Sequence, residues 1–98
     1  MTEDAKLMYE DALNDYIEAR KALTATTIAY DNARHAMRVK LYEEKMAGTK
    51  YTEEQIRSIT IDACRTEREN HEHAMMFYDI AKESLEFIKA TCNKVDFN

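Results

Sequence analysis

A chain of 98 residues with no proline and a single glycine, Gly48, has almost nothing with which to build tight turns. That shortage argues against a sheet protein and against a catalytic site assembled from loops, and it leaves an all-α fold as the expectation. The length allows one domain, 1–98, at the small end of the range that can bury a core of its own.

The helical pattern is read from a seven-residue repeat. Tyr9, Tyr16, Leu23, Tyr30 and Met37 form one line, and Ala12, Ala19, Thr26 and Ala33 form a second, three positions on. Large residues on one line and small ones on the other let a second helix approach closely along the small side. The spacing predicts a first helix over about 3–46, with a bend admissible at 24–28, where β-branched residues cluster. Gly48 fits a left-handed C-terminal cap, and Thr52-Glu-Glu-Gln55 has the form of a capping box. A turn over 47–52 and a second helix over about 53–93 follow. The second seam is traced through Ala74, Tyr78, Ala81, Leu85, Ile88, Cys92 and Val95, with Ile56, Ile59 and Ala63 as a separate apolar start. Between them Cys64, Glu67, Asn70 and His71 stand where apolar groups are wanted, so the seam either shifts face or packs loosely. Local irregularity is also open over 58–62.

Two long helices on a short connection predict a coiled-coil-like antiparallel hairpin. Its register sets Tyr30 near Arg68, Leu23 near Met75, Tyr16 near Lys82 and Tyr9 near Lys89, give or take a turn. Met76, Phe77, Ile80 and Phe87 fall off the seam, and self-association into a helical bundle is the expected way to cover them.

Chemistry is sparse in the pattern. His71 and His73 sit about 200° apart around a helix and do not converge on one metal, so no metal is expected. Cys64, Glu67 and His71 share a stripe that reads as a polar layer rather than a thiolate site. Cys64 and Cys92 would stand about 42 Å apart along one continuous helix, so reduced thiols are expected. No phosphate-binding glycine loop or nucleophile elbow is present. The expectation is a non-enzyme with no cofactor. No apolar run reaches the roughly 20 residues of a membrane span, and the first residues lack the layout of a secretory signal. A cytoplasmic protein without a membrane partner is expected.

Charge is uneven. The chain is −5 overall, yet 34–68 holds eight basic and six acidic residues, which leaves that stretch mildly positive and the remainder acidic. Arg34, Arg38 and Lys45 follow one another along one helix face, and Arg65 lies on the other side of the turn. Tyr9, Tyr16 and Tyr30 belong to the seam, whereas Tyr42 and Tyr51 flank the turn. If single-stranded nucleic acid is bound, Arg34, Arg38, Lys45 and Arg65 are the expected phosphate contacts and Tyr42 or Tyr51 the stacking rings. The alternative is a solvated face of ordinary helix-surface ion pairs.

The stretches 38–48 (RVKLYEEKMAG) and 78–90 (YDIAKESLEFIKA), joined by the threonine-opened helix start, resemble small helical-hairpin proteins of tailed phages. The nearest in layout is the recombination-mediator family of T-even-like phages. That resemblance implies an oligomeric accessory protein of the bacterial host cytoplasm. Such a protein binds single-stranded DNA and helps a recombinase displace single-strand-binding protein, with Arg34, Arg38 and Lys45 as the positions able to contact DNA. The negative net charge departs from that family. A competing expectation is an acidic helical interaction module, an inhibitor or adaptor that occupies a basic surface on a nucleic-acid-handling enzyme.

Overall fold

The computed structural model describes residues 2–97, with side chains described for 2–92. The side chain of Val95, placed on the second seam above, lies outside the described residues. Among those described, every regular element is helical: α1 (Glu3–Met46), α2 (Glu53–Ala63) and α3 (Arg65–Phe97). None of these helices is long and apolar enough to cross a membrane. α1 is helical through 24–28.

The ends of the helices are set by local chemistry. At the end of α1, Gly48 takes φ +115°, a value reserved for residues without a Cβ. The Thr49 N–H then reaches the Glu44 carbonyl at 3.0 Å and the Gly48 N–H reaches the Lys45 carbonyl at 3.2 Å, which satisfies two orphaned carbonyls. At the start of α2 the capping box is complete. Thr52 Oγ1 accepts from the Gln55 N–H at 3.1 Å, and Gln55 Oε1 accepts from the Thr52 N–H at 2.9 Å.

A single helix was expected from about 53 to 93, but the structure divides it at Cys64, which leaves helical geometry at φ −103°, ψ 20°. A side-chain bond precedes the break by one turn. Thr60 Oγ1 donates to the Ile56 carbonyl at 2.7 Å, a side-chain bond that competes with the backbone ladder and bends helices. The break is brief, since the Cys64 carbonyl already accepts from the Arg68 N–H at 2.9 Å.

The chain packs as two compact units, one of Met1–Thr24 with His73–Asn98 and the other of 25–72. In the first, Ala12 of α1 and Ala74, Leu85 and Cys92 of α3 are buried. Tyr16 meets Tyr78, with ring centroids 5.6 Å apart at 37° and hydroxyls 3.4 Å apart. Lys82, the neighbour expected for Tyr16 to within a turn, is exposed, and the aromatic contact lies one turn earlier on α3, inside that range. The Cys92 thiol donates to the Ala5 carbonyl at 3.7 Å.

In the second unit, Leu41 of α1 and Ile56, Thr60 and Cys64 around α2 are buried. Glu67, Arg68 and His71 are half-buried, so the seam keeps to its stripe through polar residues instead of shifting face. Ile59, Ala63 and Asn70 are exposed, which removes Ile59 and Ala63 from the core in which the apolar pattern placed them. The polar layer is loosely satisfied. The His71 Nδ1 lies 3.4 Å from Thr27 Oγ1, its ring is 5.9 Å from that of Tyr30, and the buried Nε of Arg68 has no hydrogen-bond partner among the described residues. The carboxylate of Glu72 stands 3.9 Å from that Nε, too far for a hydrogen bond.

Candidate functional site

Two concave surfaces stand out, one in each unit. In the second unit, the last turns of α1 and the first turns of α2 enclose a groove of about 410 Å³, lined by Tyr30, Arg34, Arg38, Tyr42, Glu53 and Arg57 over Ile56, Thr60 and Ile61. The seven-residue step from Tyr30 through Met37 sets one stripe on α1, and Arg34, Arg38 and Tyr42 follow beside it at helical spacing. Ile56 and Thr60 are four apart and both buried, which brings Arg57 and Ile61 onto the adjoining edge of α2.

The groove gathers Arg34, Arg38 and Tyr42 among the residues expected to contact nucleic acid. It also adds Tyr30, read from the sequence as a seam residue, and Arg57, which was not singled out. The Ile56/Thr60 spacing was the available signal for Arg57. Lys45 stands at the margin, 3.4 Å from Glu53, while Arg65 and Tyr51 do not line the groove.

Several of these groups are already engaged. Arg34 is paired with Asp31 and lies over the Tyr30 ring, 4.4 Å from its centroid. Arg65 pairs with Asp62 at 3.4 Å. The Tyr42 hydroxyl donates to Glu53 at 2.5 Å and the Tyr51 hydroxyl to Glu44 at 2.9 Å. Glu53 is held below the ordinary carboxylate range, first by the Tyr42 hydrogen bond and then by Lys45 and Arg38. Tyr51 is raised above the ordinary phenol value, chiefly because its proton is shared with Glu44. Arg38 and Arg57 are the arginines of this groove with no ion pair among the described residues.

The first unit carries an apolar groove of about 600 Å³. Its floor is Ala12, Ala19, Ala22, Ala74 and Ala81, the small-residue lines of α1 and α3. Phe77, Ile80 and Ile88 wall the α3 side, and Met8, Asp11, Asp15 and Glu18 wall the α1 side. Phe77 is 66% exposed and Ile80 55%, a large apolar surface for a monomer to leave in water. Met76 and Phe87, the other residues expected at an oligomer interface, are also exposed but do not line this groove.

Among the described residues no group of three or more His, Cys, Asp or Glu is placed to hold a metal ion. Burial raises the Cys64 thiol, with Glu67 adding to the effect, so it carries less thiolate than a free cysteine. The Tyr16 phenol is lowered by its hydrogen bond to Tyr78, whose own phenol that bond raises. Comparison with protein-family models, characterised proteins and solved structures returns no match for this chain.

Proposed function

We propose that this is a non-enzymatic helical interaction protein whose working surface is the open face of the first unit. The observation that carries the reading is the apolar groove floored by alanines and walled by exposed Phe77 and Ile80. Small residues along a two-helix groove let the backbone of a third helix come close, and exposed aromatic and branched side chains supply the area that makes its docking favourable.

This reading takes the fold as an antiparallel hairpin, which is supported by the pairing of Ala5 with Cys92, Tyr16 with Tyr78, and Thr27 with His71. It also includes self-association. Met76 and Phe87 lie exposed outside the groove and are the residues through which a second copy would pack. The test uses two variants. Phe77→Glu with Ile80→Glu should abolish binding of amphipathic helical peptides, whereas Met76→Glu with Phe87→Glu should lower the sedimentation mass while peptide binding remains. Unchanged peptide binding in the groove variant overturns the reading.

The groove of the second unit favours a second reading, as the DNA-associated accessory protein to which the sequence bears a resemblance. Arg38 and Arg57 are available for phosphate beside the rings of Tyr30 and Tyr42, the combination by which single strands are held. Anisotropy of labelled single-stranded DNA across a salt series tests it. A counterion-release slope that shrinks in Arg38→Glu supports this reading, and no binding at low salt rejects it.

A further inference from the structure

The walls of the apolar groove differ in character. The α3 wall is Phe77, Ile80, Ser84 and Ile88, whereas the α1 wall carries Asp11, Asp15 and Glu18 at i, i+4 and i+7, one continuous acidic stripe. Glu18 has a partner in exposed Lys21 at 3.3 Å, and Asp11 and Asp15 have no ion pair among the described residues. Among the described residues no lysine, arginine or histidine lines the groove.

That asymmetry decides what can lie there. A symmetric pairing of this face with the same face of a second copy sets the carboxylates of one copy against those of the other, or buries them on Phe77 and Ile80. Both arrangements are unfavourable, because like charges repel and desolvated carboxylates need partners. A helix with an apolar stripe flanked on one side by lysine or arginine meets both walls at once. Its stripe fills the alanine floor against Phe77 and Ile80, and its cations reach Asp11 and Asp15. From Met8 to Ala22 the α1 wall runs about 21 Å, roughly four helical turns.

We infer that the groove between Asp11, Asp15 and Glu18 on α1 and Phe77 and Ile80 on α3 is a docking site for a basic amphipathic helix of another protein. The inference rests on the reading of this face as the working surface and names the chemistry of its partner. Three exposed carboxylates contribute a modest amount each, so the charge preference is about tenfold in affinity, with apolar burial supplying the rest.

The experiment uses three fluorescein-labelled peptides of about 18 residues with one apolar face and equal helicity, whose polar flank carries lysine, glutamine or glutamate. Binding to the full chain is read by anisotropy at low and high salt. The inference expects the lysine peptide to bind about tenfold tighter than the glutamate peptide. It also expects that advantage to fall with salt. Asp11→Lys with Asp15→Lys, exposed substitutions that circular dichroism should show to be folded, should reverse the order. Three peptides binding equally well overturns the inference and leaves the interaction reading in place. No binding by any peptide overturns both. Peptide binding that fails only as the chain associates with itself through the groove, by sedimentation with Phe77→Glu as control, assigns the face to a second copy and overturns the inference alone.

Discussion

Tyr42 of α1 donates its hydroxyl proton to Glu53 in the first turn of α2, 2.5 Å away and on the far side of the glycine turn. The bond fastens the two helices of the second unit at the end nearest Gly48, and Lys45 joins it from the same carboxylate at 3.4 Å. The Tyr42 ring remains on the groove wall while its hydroxyl is spent on structure.

Tyr42→Phe should therefore move the Glu53 carboxyl up toward its ordinary value, followed as a carboxyl resonance in a pH titration by NMR. The sign for stability follows from the lowered value in the folded chain. The contribution of Glu53 is fully present above the ordinary carboxylate pKa and is lost as pH falls through the lowered one. In Tyr42→Phe that loss should be smaller and complete at higher pH, its onset still set by the unfolded chain. An unmoved Glu53 titration would show that Lys45 and Arg38 hold the carboxylate without the phenol.

Removing the capping threonine should cost more than removing its reciprocal partner. Thr52→Ala deletes the acceptor for the Gln55 N–H at the start of a helix of 11 residues, and about 1 kcal/mol of stability is expected to go with it. Thr52→Ser should restore most of that in urea unfolding. Equal stability of Thr52→Ala and the parent chain would mean that α2 is held by Ile56 and Thr60 alone.

At Gly48 the space for a side chain is open, since nothing lies within 4 Å of where a Cβ would sit. Gly48→Ala is therefore opposed by backbone conformation alone. A loss of about 1 kcal/mol is expected in the same urea experiment, without a change of helical content. A larger loss would mean that the turn has contacts beyond its backbone.

Cys64 should react slowly with a disulfide reagent at neutral pH, because burial holds its proton on the sulfur. Its raised value in the folded chain works against folding in base. As pH climbs past the ordinary thiol value the unfolded chain ionises first, and stability falls. Cys64→Ala should flatten that part of the stability profile. Reaction of the native thiol at the rate of an unfolded peptide would place Cys64 at the surface in solution.

Much of this architecture is legible in the residues themselves. The repeat from Tyr9 to Met37 marks the inward stripe of α1, and those positions are half-buried in the structure. The stretch around Glu67 and His71 misleads because apolarity is only a proxy for the inward face. Once flanking turns fix a helix's rotation, a polar residue on the stripe is carried inward whatever its preference. Ile59 misleads for the converse reason, as an apolar residue on the outward face of α2. The arginine groove was half legible. Arg34 and Arg38 share a helix and can be counted off, whereas Arg57 reaches them only through the turn at Gly48, a relationship that no periodicity within α1 contains.

No large side chain among those described is completely closed off from water. Each unit is sealed by residues that remain partly wet, and a unit closed in this way opens locally at lower cost than one with a deeply buried core. A helix docked as proposed would close the face and lower the open population in proportion to its occupancy. Under that docking, copies made in excess of their partner would spend longest in the form that proteases cut, and turnover would trim the protein toward the number of partners present.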